Sequence, residues 1–109
     1  MSLLAITRDR AVTTLTFDRA ETMNPLGAHG DGAEVEAACA AINDDPAVRC
    51  AILTGAGRAF SAGGDIKAMR DRTGNFAGNP DQIAEGYRTN IHRALRALDG
   101  LKVPLIAAV

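Results

Sequence analysis

The chain has 109 residues, 47% of them hydrophobic, and a formal net charge of -1. That length allows at most one small domain, which buries about two-thirds of the surface of its unfolded chain. The near-zero charge gives no electrostatic reason to expect nucleic acid or an anionic membrane as a partner, and no apolar run approaches the ~20 residues that span a bilayer. The sequence shows no signal-peptide pattern, and Cys39 and Cys50 suit reduced thiols in a core. We therefore expect a cytoplasmic protein.

Two strands and a polar loop are predicted at the start of the chain. Residues 4–8 and 12–17 alternate in the way strands do, and the two residues between them suit a hairpin turn. In the second strand, Thr13, Leu15 and Phe17 share one face. The polar segment 18–27 contains Pro25 and is predicted to be a loop.

A first helix is predicted over residues 31–42. Asp31 and Glu34 have the spacing of a capping box, and an apolar stripe follows at helical spacing: Val35, Ala38, Cys39 and Ile42. His29 precedes this helix in a glycine-rich segment. A single histidine without neighbouring ligands is more often a surface residue than a functional one, so we expect His29 at the surface.

The most informative stretch runs from Cys50 to Met69. Residues 50–53 predict a buried strand, a loop with four glycines follows, and residues 66–69 predict the start of a helix. Glycine permits φ > 0 and close approach of a ligand, and the N–H groups at a helix start suit an oxyanion or phosphate. Plain connections also have this pattern, so spacing alone leaves both interpretations open. Phe60 stands where a dinucleotide fingerprint needs its third glycine, and no Gly-Lys-Ser/Thr follows the glycines.

The remainder of the chain predicts a mobile loop, a second long helix and a final strand. Residues 70–79 are polar, with Phe76 as their large apolar residue, and Asn79 is predicted to cap a helix over residues 81–98. The apolar stripe of this helix consists of Ile83, Tyr87, Ile91, Ala94, Leu95 and Leu98. Arg88, Arg93 and Arg96 lie off the stripe and are predicted to be solvated. Residues 105–109 form an apolar strand pattern, an exposed run on which a domain rarely finishes.

Residues 54–69, TGAGRAFSAGGDIKAM, resemble the first signature of the enoyl-CoA hydratase/isomerase (crotonase) superfamily. Segments 18–26, 44–49 and 102–109 also fall where that family has similar ones, so the resemblance covers essentially the whole chain. It implies an α/β fold of the ClpP/crotonase type, a spiral of ββα units. Residues 1–109 would be the N-terminal portion of an acyl-CoA-binding domain, truncated before the second oxyanion-hole motif.

The resemblance implies an acyl-CoA enzyme, in the first place an enoyl-CoA hydratase, that stabilises a thioester enolate in an oxyanion hole. Isomerase, decarboxylase and hydrolase relatives share this half of the signature. Coenzyme A would be part of the substrate, so no separate cofactor and no metal is implied. The family also implies a homotrimer or a hexamer made of two trimers. The alternative is that the 109 residues are a non-catalytic fragment with residual coenzyme A affinity or a role in assembly.

The same resemblance implies the site residues. The backbone N–H of Gly64 would be the oxyanion donor, Gly63 would let the backbone turn, and Asp65 would cap the helix that aims the donor. The positions that match the coenzyme A pocket are Met23, Pro25, Ala62, Ile66 and Lys67. Family members often carry a lysine at the position of Glu21 or Thr22, and neither residue is basic here. Phe76 would border the acyl pocket, although packing on its own domain is an equal alternative.

Overall fold

The computed structural model describes residues 2–109 and shows an α/β fold with six strands and four α-helices among them. The strands are β1 (Leu4–Asp9), β2 (Val12–Phe17), β3 (Pro25–Leu26), β4 (Cys50–Gly55), β5 (Gly63–Gly64) and β6 (Leu105–Ala108). The helices are α1 (Asp31–Asp44), α2 (Ile66–Asp71), α3 (Pro80–Thr89) and α4 (Ile91–Asp99). Within residues 2–109, no helix has the length and apolar character needed to cross a membrane.

The main sheet has the order β1-β2-β4-β6. β1 and β2 form an antiparallel hairpin, while β2, β4 and β6 run parallel, so α1 and then α2 to α4 lie in the connections between parallel strands. The four strands predicted from periodicity are confirmed to within two residues at each end. β3 and β5 form a separate two-stranded parallel pair, which the sequence did not predict.

The core lies on one face of the main sheet. Thr13, Leu15 and Phe17 are buried, which confirms the alternation predicted for β2. Leu15 and Phe17 share a cluster with the predicted stripe of α1, and part of α4 packs against it through Ala94, Ala97 and Leu98. Both cysteines are free thiols, as expected: Cys39 is buried in this cluster and Cys50 is half-buried.

The second long helix is broken, and the prediction of one continuous helix over residues 81–98 is wrong. The break is at Asn90, whose φ of -127° and ψ of -86° are not helical. Its buried side chain instead bonds the segment before α1 and the first turn of α1. The break also redirects the predicted stripe: Ala94 and Leu98 contact the core, whereas Leu95 is 54% exposed.

The predicted capping box at the start of α1 is also wrong. The N-cap residue is Gly30, with a φ of 88°, and no side chain caps the helix there. Asp31 instead accepts the N–H groups of Gly27 and Ala28, and Glu34 accepts those of Leu3 and Leu4. By contrast, the cap predicted at Asn79 is confirmed, because Asn79 and Gln82 exchange hydrogen bonds of 2.9 Å.

Candidate functional site

The glycine stretch folds back on the strand that precedes it. A Cβ on Gly55 would collide with the backbone carbonyls of Ala59 and Phe60, so the end of β4 needs glycine for close approach. The chain then turns and reaches β5, where Gly63 has a φ of +85°. That angle favours glycine strongly, which supports the predicted role of Gly63 in turning the backbone.

Gly64 differs from Gly63, because its φ is not positive. A Cβ on Gly64 would meet a single atom, the terminal Cε of Met69, at 2.6 Å. That methyl group lies at the end of a flexible side chain and can move aside. Neither backbone angle nor fixed backbone atoms therefore require glycine at position 64, and alanine fits there.

Asn24 holds the 18–27 segment against the glycine loop. Its fully buried amide donates to the carbonyls of Ala56 and Ala59 at 2.9 Å, and its Oδ1 accepts the N–H of Arg19 at 2.8 Å. The carbonyl of Asn24 accepts the hydroxyl of Ser61, whose oxygen in turn accepts the N–H of Gly63 at 3.0 Å. These bonds bring β3 and β5 together.

Sequence reasoning missed Asn24. Its φ of 55° lies in the left-handed region, where asparagine is one of the few tolerated residues. The available signal was an asparagine directly before Pro25 in a predicted loop segment. That pattern indicates a turn, and it does not indicate that the side-chain amide is buried.

Most of the predicted site residues line one groove, which we call the coenzyme groove after the coenzyme A contacts that the resemblance implies for them. Its volume is about 520 Å³, and it is lined by Thr22, Pro25, Ala62, Gly64, Asp65, Ile66 and Lys67. Two predicted residues lie outside its lining. Gly63 acts through its backbone angle, and Met23, which is 40% exposed, accepts the N–H of Ala62 through its carbonyl.

The start of α2 forms one wall of the coenzyme groove. Asp65 is its N-cap residue, and Oδ1 accepts the N–H of Ala68 at 3.0 Å, as predicted. Ile66 and Lys67 follow in the first turn, and both are exposed; Ile66 is 74% exposed, an unusual degree for an apolar residue. An exposed isoleucine and lysine side by side in a groove offer apolar contact and positive charge to a ligand.

The arginines of α3 and α4 do not line the coenzyme groove. Arg88 pairs with Glu85, Arg93 pairs with Glu36, and Arg96 donates to the carbonyl of Arg88. These contacts are at the surface, as predicted for solvated arginines. The hydrogen bond to Arg93 lowers the pKa of the Glu36 carboxyl.

Two further grooves adjoin the coenzyme groove at Asp65. One, of about 360 Å³, is lined by Arg19, Pro25, Leu26, Ala28, His29 and Asp65. The other, which we call the distal groove, has a volume of about 520 Å³ and lies between segments 27–29 and 73–76, with Asp65 and Ala68. His29 is at the surface, as predicted, but it lines both of these grooves.

The segment before α1 is fixed by a buried ion pair. Arg19 donates to both carboxylate oxygens of Asp31 at 2.8 Å, and the two side chains are 11% and 5% exposed. The hydrogen bond to Asp31 raises the pKa of Arg19. Because Asp31 also accepts two backbone N–H groups, the carboxylate is well satisfied.

The structure shows one of the two alternatives considered for Phe76, packing on its own domain; a border with the acyl pocket stays a prediction. It is 6% exposed, and its ring meets that of Tyr87 edge-on, with centroids 5.6 Å apart. It therefore packs on its own domain, and it also lines the distal groove. The segment predicted as a mobile loop contains a 3-10 turn at Gly74–Phe76.

Several known proteins share this fold and much of this sequence. The family model for enoyl-CoA hydratase/isomerase matches residues 7–109. A probable enoyl-CoA hydratase of Mycobacterium tuberculosis is 31% identical over 106 residues, which are 97% of this chain and 37% of that protein. A 1,2-epoxyphenylacetyl-CoA isomerase of Escherichia coli is 31% identical over 101 residues, or 93% of this chain and 37% of the relative.

The crystal structure of an enoyl-CoA hydratase from Mycobacterium smegmatis superimposes with a TM-score of 0.81 at 30% identity. The match covers 98% of this chain and 39% of that one. The chain thus spans about two-fifths of the length of the relatives it matches, and its α/β fold is the crotonase fold. A chain that matches the family model over nearly all of its residues, and that has this fold, belongs to the enoyl-CoA hydratase/isomerase family.

Proposed function

We propose that residues 1–109 are the N-terminal portion of the acyl-CoA-binding domain of a hydratase-type enzyme. In this proposal they supply a coenzyme A groove and one oxyanion donor. The observation that carries it is the coenzyme groove, in which Gly64, Asp65, Ile66 and Lys67 meet Pro25 and Ala62. Family membership implies an acyl-CoA thioester as the class of substrate.

The proposed chemistry centres on the thioester oxygen. That oxygen becomes negatively charged when an enolate forms or when water adds to the conjugated acyl group. A preorganised N–H donor in the site stabilises the charge, and losing one such donor commonly costs about 10²–10³ in rate. The backbone N–H of Gly64 is the proposed donor, and the contacts of Asn24, Ser61 and the Asp65 cap support its preorganisation.

Lys67 is the proposed contact for a phosphate of coenzyme A. It lines the coenzyme groove three residues after Gly64, and it is exposed. An ammonium group binds phosphate as a point charge. Thr22 lines the same groove, at one of the two positions where family members often carry a lysine. In this chain a hydroxyl is therefore the group that this position offers to a phosphate.

The reaction is proposed as hydration, with isomerisation as the second candidate because one relative is named for it. The resemblance places the acid/base carboxylates and the second oxyanion donor of hydratases after the position of Val109. We therefore infer that residues 1–109 alone do not hydrate crotonyl-CoA measurably, since acid–base catalysis is commonly worth about 10²–10⁴-fold.

The absorbance of the conjugated thioester tests this inference directly, with intact mass confirming the 109-residue chain. Robust turnover by that chain would refute it. Assembly as a homotrimer or as a dimer of trimers stays a prediction, which light scattering after size exclusion can test.

The role of Gly64 is tested in a chimera in which residues 1–109 replace the matching segment of the Mycobacterium tuberculosis relative. Gly64→Pro removes the N–H and is expected to lower kcat by about 10²-fold or more, with a smaller loss of coenzyme A affinity. Gly64→Ala keeps the N–H and displaces only the Met69 methyl group, so kcat should fall by a few-fold at most. If alanine is as damaging as proline in folded protein, backbone donation is not the role of Gly64.

A second measurement does not depend on the chimera. In the 109-residue chain, NMR follows the Gly64 amide during two titrations. One uses coenzyme A, which has no acyl carbonyl. The other uses an acyl-CoA analogue in which a methylene group separates the sulfur from the carbonyl, so that a ketone replaces the thioester. The ketone analogue should shift the Gly64 amide more than coenzyme A does. Equal shifts would count against the donor role.

A further inference from the structure

Three grooves meet at Asp65, and Gly64 lines one of them, the coenzyme groove. The coenzyme groove lies on the side of Ile66 and Lys67, and the distal groove lies on the side of His29 and Phe76. A thioester held at the Gly64 N–H has two arms that leave its sulfur and its carbonyl carbon in different directions. If the coenzyme arm takes the groove with Lys67, as proposed above, the acyl arm passes Asp65 toward His29, which lines both of the other grooves. The distal groove, of about 520 Å³, is the larger of those two.

One side of the distal groove is a preformed backbone surface. The N–H groups of Gly27 and Ala28 donate to Oδ2 of Asp31 at 3.0 and 2.9 Å. The carbonyl of Gly27 accepts from Asn75 at 2.6 Å and from Asn90 at 3.1 Å, and Asn90 also donates to the carbonyl of Ala28 at 2.9 Å. These bonds hold the residue before His29 on both its donor and its acceptor side, so the backbone leading to His29 is fixed.

The side chains of the distal groove are mostly small or polar. Its apolar members are Ala28, Ala68 and the buried Phe76, and no leucine, isoleucine, valine or methionine is among its lining residues. Long aliphatic chains gain affinity by burying methylene groups against apolar side chains, and this lining offers few. The chain has an apolar cavity elsewhere, bounded by Leu26, Val35 and Leu98, but it measures about 30 Å³. That is room for about one water-sized group, so this cavity cannot hold a long aliphatic chain either.

Two polar side chains of the distal groove, those of His29 and Thr73, are available to a ligand. Among residues 2–109 no side chain or backbone group bonds the imidazole of His29 or the hydroxyl of Thr73, and both residues are exposed. Asp65 is the acidic residue of the groove, and no lysine or arginine is among its lining residues. A free carboxylate on the acyl group would therefore meet a negative charge without a compensating positive one, whereas an uncharged hydroxyl can donate and accept.

We propose that the acyl group of the substrate is short and carries an uncharged polar group, in the simplest case a hydroxyl, beyond its third carbon, with His29 as the specificity-determining contact. The first three carbons belong to the reacting thioester, so the distal groove meets the next atoms. This inference rests on the proposed function of the coenzyme groove.

Calorimetric titration of the 109-residue chain provides the test. The ligands are coenzyme A, 4-hydroxybutyryl-CoA, pentanoyl-CoA, octanoyl-CoA and glutaryl-CoA. The second and third are matched, because a methyl group replaces the hydroxyl at the same chain length. One net hydrogen bond predicts that 4-hydroxybutyryl-CoA binds about three- to tenfold more tightly than pentanoyl-CoA, and octanoyl-CoA and glutaryl-CoA should not exceed it.

The variant His29→Leu should abolish the preference for the hydroxyl while coenzyme A binds as before. The control is His92→Leu, which removes the other histidine of the chain; His92 lies on α4 outside the distal groove and should leave the preference intact. Circular dichroism verifies that both variants fold.

Each outcome separates the inference from the function on which it rests. Equal or tighter binding of pentanoyl-CoA, octanoyl-CoA or glutaryl-CoA overturns the inference, and so does a hydroxyl preference that survives His29→Leu. In those cases coenzyme A binding, and with it the coenzyme groove, still stands. If coenzyme A and all its thioesters fail to bind the folded chain, the proposed function fails and the inference falls with it.

Discussion

Asn90 provides the hydrogen bond that α1 lacks at its own N-terminus. Its Oδ1 accepts the N–H of Gly32 at 2.6 Å, across 58 residues of sequence. The approach is so close that a Cβ on Gly32 would overlap the carbonyl oxygen of Asn90 and lie 2.8 Å from its Cα. The break between α3 and α4 and the glycine in the first turn of α1 are therefore two parts of one contact.

Gly32→Ala should lower the free energy of unfolding by about 1–3 kcal/mol, the usual range for overpacking against fixed atoms. The added methyl group meets backbone, which cannot rotate away as a side chain can. Urea denaturation followed by circular dichroism measures the change. Gly64→Ala is the matched control, because only the Met69 methyl group stands in its way, and it should change stability by less than about 0.5 kcal/mol. Equal stabilities for wild type and Gly32→Ala would mean that the contact with Asn90 relaxes freely.

Asn24→Ala should destabilise the chain by about 2–4 kcal/mol, since it removes a fully buried amide that bonds the carbonyl groups of Ala56 and Ala59. The amide is fully buried and bonds Ala56, Ala59 and Arg19. The same urea titration measures the loss. Asn43→Ala is the comparison: Asn43 also bonds two backbone groups, but those bonds are exposed and water can replace them. If the two substitutions cost the same, burial of the Asn24 amide is not decisive.

Glu34→Gln should reduce stability at pH 7 by about 1–2 kcal/mol and by less at low pH. Burial disfavours the charged carboxylate, but hydrogen bonds from Ser2, Leu3 and Leu4 outweigh it and lower the pKa of Glu34. A lowered folded-state pKa contributes stability that is present above the unfolded-state value and lost as the pH falls through the folded-state value. The difference between the urea midpoints of the two proteins should therefore narrow as the pH is lowered from 7 to 3. A difference that is constant over this range would contradict the assignment.

The two thiols should react at very different rates with a disulfide reagent. Burial raises the pKa of Cys39, which is 2% exposed, so its reactive thiolate is scarce in the folded chain. Cys50 is half-buried and should react first. Cys50→Ser should leave only a slow phase, which becomes fast in urea. A single fast phase in that variant would show that the core around Cys39 opens readily.

Periodicity was sufficient to predict the main sheet and α1 because those elements bury one regular face. Thr13, Leu15 and Phe17 alternate, and the α1 stripe has helical spacing, so local pattern and tertiary packing agree. The interval from Asn79 to Leu98 has a helical pattern throughout, yet the helix breaks at Asn90. The cause is a contact with Gly32, and no local pattern records a contact over that distance.

The site shows the same limit. The coenzyme groove contains most of the residues that resemblance assigned to it. Apart from Pro25, those residues come from one short stretch, 62–67. Asp31 and Glu34 have the spacing of a capping box, but their carboxylates bind other groups. Asp31 accepts hydrogen bonds from Arg19, and Glu34 accepts them from the backbone at the start of the chain. Asn24 was missed because its partners are backbone carbonyls, which every residue has and which leave no trace in the sequence.

The parallel pairing of β2 with β4 has a consequence for the order of folding. The β1–β2 hairpin closes locally, whereas β2 and β4 meet only after the chain between Phe17 and Cys50 has been closed into a loop. The β3–β5 pair has only two residues in each strand. It depends on hydrogen bonds from Asn24 to the glycine loop, and that loop is in place only after β4 has joined the sheet. We expect the hairpin and α1 to form early and the glycine loop to form last. Substitutions in that loop would then accelerate unfolding while refolding proceeds at nearly its original rate.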